Sequence, residues 1–244
     1  MPHLSRVRLC SEHYPTRDCY PFNLPLFQRT ASVDLSAPVT LFVGENGTGK
    51  STLLKAIARR CGIHIWENPG AARLTPNRWA EQLYRWVEVS WVQGPVPGSF
   101  FAAEVFREFA ELVEQWVLSD PGQLAYYGGK SLVSQSHGQS LLSYFRTRYR
   151  IKGLYLLDEP ETALSPRSQI EFTRLVAAMA GAGHAQFIIC THSPILLACP
   201  GAALYSFDRP SITPIAYTET EHYQTYRAFL ADPAAYLDGG EARS

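Results

Sequence analysis

The sequence predicts an α/β fold: a mostly parallel core sheet, an antiparallel β subdomain and a small helical subdomain. Three observations carry that reading. Residues 39–43 and 154–157 are apolar runs and 186–190 reads as a third buried strand, the pattern of strands covered on both faces of a parallel sheet. Segments of helical spacing alternate with these runs. Shorter β-like pieces sit towards both ends, as expected of antiparallel additions to an α/β core. At 244 residues, about 1.6 times the rough 150 expected of one domain, the chain reads as a single domain over 1–244, with about 99–150 as its helical elaboration.

Each element has its own justification. Leu4, Val7 and Leu9 interleave with Ser5, Arg6 and Arg8 as in a half-buried strand. Pro15, Pro21 and Pro25 then break the chain into turns before a short strand over 32–35. Pro38 separates that strand from 39–43. A glycine-rich stretch follows, and then 52–60, where Leu53, Leu54, Ile57 and Ala58 have helical spacing. Residues 87–92 and 99–103 read as strands between turn-rich stretches. Val105, Phe106, Phe109, Leu112, Val113 and Trp116 fall on one side of a helix over 104–117. A loop over 120–130 leads to a helix over 139–149. Ser165 caps a helix with Pro166 at its first position, ending near Ala180 at Gly181 and Gly183. Residues 204–207 and 212–217 form a β pair, and 219–231 a last helix before Pro233.

Composition narrows the class of protein. Hydrophobic residues make up 46 % and charged ones 18 %, enough apolar surface for a sizeable core, which excludes disorder as a description of the whole. Lys plus Arg and Asp plus Glu are 22 each, so the net charge is zero and a chain-wide polycationic surface is excluded. No apolar run approaches the roughly 18 residues of a membrane span, and residues 1–10 lack a signal peptide's apolar stretch. The five cysteines are scattered and odd in number, which argues against a disulfide framework and for a reducing cytoplasm.

Gly44-Glu45-Asn46-Gly47-Thr48-Gly49-Lys50-Ser51 fits the pattern G-x-x-x-x-G-K-[ST], set between a strand and a helix. Glycines let backbone N–H groups turn inward around phosphate oxygens at a helix start, where the dipole also favours negative charge. Lys50 would reach the β- and γ-phosphates of a nucleotide and Ser51 would ligate Mg²⁺. At the end of 154–157, Asp158 and Glu159 place two carboxylates at the edge where open parallel sheets bind ligands. Asp158 is expected to hold Mg²⁺ through its water shell and Glu159 to polarise the attacking water. Metal binding and water activation occur on opposite sides of the γ-phosphate, so two acids are needed.

These residues resemble the ABC-type ATPase family. Gly44–Thr52 looks like that family's Walker A loop, with Asn46 and Gly47 narrowing the choice; Asp158-Glu159-Pro160 with Ala163-Leu164-Ser165 looks like its Walker B and D-loop. Thr191-His192-Ser193-Pro194 resembles the switch-histidine segment, and Ser136-His137-Gly138-Gln139-Ser140, read as lying before a helix, the signature motif. The likeness runs over about 39–200 and is nearest to small soluble ATPases of the recombination-repair and chromosome-maintenance branch. It implies ATP with Mg²⁺, bound by Asn46, Gly47, Thr48, Gly49, Lys50, Ser51 and Thr52, and a homodimer formed on ATP binding. Each nucleotide would be covered by the other protomer's Ser136, Gly138 and Gln139. Lys50, Glu159 and His192 would be catalytic, His192 bonding the γ-phosphate or the attacking water, and Ser51, Asp158 and Glu104 would face the metal. The residue linking the γ-phosphate to the helical subdomain is Glu104 or Gln93. His192 also has a plainer reading, as a helix-capping or core histidine.

About 84 residues separate Ser51 from Ser136. At 1.5 Å per helical residue an antiparallel excursion using them all would reach only about 60 Å, a head without long coiled-coil arms. Other classes stay open: the nucleotide-binding subunit of a membrane transporter, or a slow nucleotide-switched module acting on a nuclease or toxin. Arg146, Arg148, Arg150 and Lys152 form a basic run that could meet nucleic acid, although such runs are more often solvated faces. Cys10, His13 and Cys19 lack the paired spacing of a zinc site.

Overall fold

A computed structural model describes residues 2–66, 77–103, 106–119, 122 and 137–237. Its strands are β1 (Leu4–Leu9), β2 (Ser32–Asp34), β3 (Val39–Val43), β4 (Val87–Trp91), β5 (Gly98–Ala102), β6 (Gly153–Asp158), β7 (Ala185–Cys190), β8 (Ala203–Ser206) and β9 (Thr213–Pro214). Its α-helices are α1 (Pro25–Arg29), α2 (Lys50–Arg60), α3 (Phe106–Ser119), α4 (His137–Arg148), α5 (Pro166–Gly181), α6 (Pro194–Leu197), α7 (Glu221–Ala231) and α8 (Ala234–Leu237).

The larger sheet has the order β5-β6-β7-β3-β8-β9. Its first five strands are parallel and β9 pairs antiparallel with β8. Successive side chains on a strand point to opposite faces, so an apolar run buries both of them. Val39, Leu41 and Val43 of β3, Tyr155 and Leu157 of β6, and Phe187 and Ile189 of β7 join a core with α4 and α5. Phe42, Leu154, Leu156, Ile188 and Cys190 face the other way, onto Leu53, Leu54 and Ile57 of α2 and onto the smaller sheet.

That smaller sheet is antiparallel, with β1 between β2 and β4. Leu4, Val7 and Leu9 are buried, although Ser5 and Arg6 both intervene between the first two. A register shift between Leu4 and Arg6 absorbs the extra residue and returns the alternation to the core. Gln186 of β7 joins the two sheets. Fully buried, its Oε1 accepts from the backbone N–H groups of His3 (2.8 Å) and Leu4 (2.7 Å). Its Nε2 donates to the carbonyls of Leu4 (2.8 Å) and Leu35 (2.6 Å).

The structure differs from the sequence expectation at several boundaries. Pro25 does not break the chain; it opens α1, because proline's fixed φ and missing N–H suit the first helical position. Helix α2 begins at Lys50 rather than Thr52, and α4 at His137 rather than Gln139, so Gly138 lies inside its first turn instead of before it. Gly181 is the last residue of α5, and it is Gly183, at φ +78°, that takes the left-handed conformation beyond it. β9 shrinks to Thr213–Pro214; the helix expected over 219–231 starts at Glu221 as α7, after a 3₁₀ turn over Tyr217–Glu219 and with Thr220 as its cap, and it is not the last, since the short α8 follows Pro233.

Candidate nucleotide site

The site lies at the C-terminal edge of β3, β7 and β6, which are neighbours in that order. From β3 the chain enters the loop over 44–49, where Gly44, Gly47 and Gly49 all have positive φ. Only glycine takes these conformations readily. Gly49 also needs the space: a Cβ there would come within 2.9 Å of the Phe27 ring. A Cβ on Gly44 would come within 2.8 Å of Asp208 Oδ1, the same oxygen that accepts from the Glu45 N–H at 2.7 Å. Asp208, just beyond β8, thus fastens the entrance of the loop.

Lys50 is buried at the first residue of α2. Its Nζ donates to the carbonyls of Gly44 (2.6 Å) and Glu45 (2.8 Å), two of the three bonds an ammonium can make. Burial pushes its pKa down, against the pull of the carboxylates of Glu159, Asp208 and Asp158. Ser51 Oγ donates to Asp158 Oδ1 at 2.8 Å, so a helix hydroxyl and a strand-end carboxylate meet across the sheet edge. Thr48 Oγ1 bonds the Glu45 carbonyl at 2.8 Å, Thr52 Oγ1 bonds the Tyr20 hydroxyl, and Asn46 lies exposed in the loop.

Glu159 is the sole non-glycine residue with positive φ among the described residues (φ 46°, ψ 53°). A left-handed backbone at a residue with a Cβ costs on the order of 1 kcal/mol or more. The Glu159 N–H donates to the Cys190 carbonyl at 3.0 Å, which ties the turn to the end of β7. Glu159 Oε1 then stands 3.4 Å from His192 Nε2. A 3₁₀ turn over Pro160–Ala163 brings Glu161 beneath the same histidine. Its Oε1 accepts from Thr191 Oγ1 (2.7 Å) and the His192 N–H (2.6 Å), and burial raises its pKa. His192 Nδ1 is 3.0 Å from His222 Nε2 on α7. Burial, foremost, and the Lys50 charge lower the pKa of His192.

The fold therefore brings together Lys50, Ser51, Asp158, Glu159 and His192, which are spread over more than half the sequence. Loop N–H groups at a helix start suit an anion, and the oxygens of Ser51 and Asp158 are the hard donors that Mg²⁺ takes. Gly138 and Gln139 stand elsewhere, in the first turn of α4. A Cβ on Gly138 would contact the Ala163 carbonyl at 3.4 Å. Ser136 and Glu104 lie outside the described residues. Gln93, the other candidate linker, is exposed just past β4. In the basic run, Arg146 pairs with Glu171 of α5. Asp208, Glu161, His222 and Tyr20 had no motif to mark them, because each acts through a partner distant in sequence.

A family profile described as "AAA domain, putative AbiEii toxin, Type IV TA system" matches residues 122–198, and one described as "AAA domain" matches 22–61. The probable siderophore transport system ATP-binding protein YusV of Bacillus subtilis (strain 168) is 28% identical over 157 residues, 57% of this chain and 55% of that protein. The match thus spans about half of the relative's length. The SMC head domain from Thermotoga maritima superposes with a TM-score of 0.51 at 17% identity, over 88% of this chain and 99% of that one; at such identity the likeness is one of fold. The fold is the α/β P-loop fold of the ABC ATPase and SMC head structures. The matches support the ABC-type ATPase family for this chain.

Proposed function

We propose that the chain binds Mg²⁺–ATP and hydrolyses it, as a head-to-tail dimer assembled by ATP and coupled to a protein partner. The observation that carries this reading is the convergence of Lys50, the Ser51–Asp158 pair, Glu159 and His192 at one sheet edge. In this reading the loop N–H groups from Asn46 to Thr52 receive the phosphates and Lys50 reaches the β- and γ-phosphates. Ser51 and Asp158 would hold Mg²⁺, with Glu104 as a further group on the metal side; the bound ion would neutralise phosphate charge. Glu159 orients the attacking water and takes its proton as the new P–O bond forms. ADP leaves with the electron pair of the broken P–O bond. His192 bonds the γ-phosphate or that water. Thr52 and Tyr20 border a cavity of about 300 Å³ with Lys55 and Arg59, where the base or ribose would lie. Ser136, Gly138 and Gln139 of a second copy would cover the γ-phosphate, helped by the positive end of the α4 dipole.

The test is Glu159→Gln. Its solution mass by light scattering is expected to rise from about one chain to two when Mg²⁺–ATP is added, with turnover abolished. Unchanged turnover would refute the role of Glu159, and a monomer under saturating nucleotide would refute the dimer. The relationship to YusV favours a second reading, a transporter's nucleotide-binding subunit. Copurification with membranes, against recovery in the soluble fraction, separates the two.

A further inference from the structure

The proposed chemistry uses His192 but leaves its partner unexplained. His222 is the second residue of α7, a helix capped by Thr220, whose Oγ1 accepts from the Tyr223 N–H. Its Nε2 lies 3.0 Å from His192 Nδ1, with ring centroids 5.2 Å apart. The outer nitrogens, His192 Nε2 and His222 Nδ1, are buried and make no hydrogen bond among the described residues. His192 Nε2 is nevertheless the atom 3.4 Å from Glu159 Oε1.

Two imidazoles can share a hydrogen bond only if one donates and the other accepts. If His192 donated from Nδ1, its Nε2 would be a bare lone pair facing the Glu159 carboxylate and, in the reading above, an anionic phosphate. If His222 Nε2–H donates instead, His192 is left with its proton on Nε2, where it meets a carboxylate or phosphate oxygen. The groups around His192 allow the neutral ring this needs. Lys50 and Glu45 face it from the loop and α2, Glu159 and Glu161 from the turn after β6, and His222 from α7. Burial and Lys50 together oppose its protonation. Glu161, bonded to the His192 N–H, holds the backbone while the ring remains free to turn unless something grips Nδ1.

We infer that His222 is a positioning residue: it donates from Nε2 to His192 Nδ1 and so keeps the proton of His192 on the nitrogen that faces Glu159. This rests on the reading of His192 given above. It also makes α7, a helix remote from the phosphate loop in sequence, part of the equipment of the site.

The experiment compares His222→Leu with His222→Gln, whose side-chain amide can place a donor near the position of Nε2. In His222→Leu, kcat is expected to fall by on the order of tenfold, the scale on which outer-shell partners of a functional histidine act, with KM for ATP within about twofold of wild type. His222→Gln is expected to recover most of the loss. In ¹⁵N-histidine spectra, His192 is expected as the Nε2–H tautomer in wild type and His222→Gln and as a mixture in His222→Leu. Equal kcat in wild type and His222→Leu, equal losses in both variants, or an Nδ1–H tautomer in wild type would each overturn the inference. If wild type showed no ATP turnover, the proposed function would fall, and the tautomer spectra would still decide the role of His222.

Discussion

Gln186→Leu tests how the two sheets are joined, and the structure sets its size. The side chain is fully buried and makes four hydrogen bonds of 2.6–2.8 Å to the backbone of His3, Leu4 and Leu35. At about 1 kcal/mol net for each such bond, their loss comes to about 4 kcal/mol. Leucine, of similar volume, returns about 1 kcal/mol through added apolar burial. The expected net loss is about 3 kcal/mol, which for a chain of this length lowers Tm by about 6–12 °C in calorimetry. Gln186→Glu separates the halves of the interaction: it keeps the acceptor for His3 and Leu4, loses the bonds donated to Leu4, Leu35 and, at 3.4 Å, Ala37, and buries a charge. It should fall at least as far. A Tm for Gln186→Leu within about 1 °C of wild type would refute the reasoning, since the backbone groups would then have found other partners.

Other consequences follow from the site. Lys50→Ala removes a charge-assisted donor to phosphate, and nucleotide affinity by calorimetric titration is expected to weaken by about tenfold to a hundredfold; retained tight binding would contradict the phosphate-loop assignment. Glu161 titrates above its ordinary 4.5 because burial disfavours its charge. The folded chain then holds a proton that the unfolded chain has released, so the stability this group contributes is complete below 4.5 and declines as pH rises through the folded value. Glu161→Gln cannot titrate. Its Tm should therefore gain on that of wild type as pH is raised from below 4.5 to neutrality, and a constant difference would contradict the shift.

The order strand, glycine loop, helix and the acidic strand end were legible because each obeys a local rule. A run apolar on both faces has to be covered twice, and a glycine pattern before a helix start makes an anion cradle whatever else the chain does. Boundaries slipped by a few residues where local signals compete, as at Pro25, which can end one segment or begin a helix.

What the sequence determined by itself was the α/β alternation, the phosphate loop and the identity of Lys50, Ser51, Asp158, Glu159 and His192 as candidates. Their meeting was decided only by the tertiary structure, because the order β6-β7-β3 puts three distant strand ends side by side. Gln186 looked like one residue of a buried strand until its amide was seen to pair with backbone more than 150 residues away. Asp208, Glu161 and His222 belong to the same class. A side chain whose work depends on one distant partner leaves no periodicity or motif, since the bond that defines it exists only after the chain has folded.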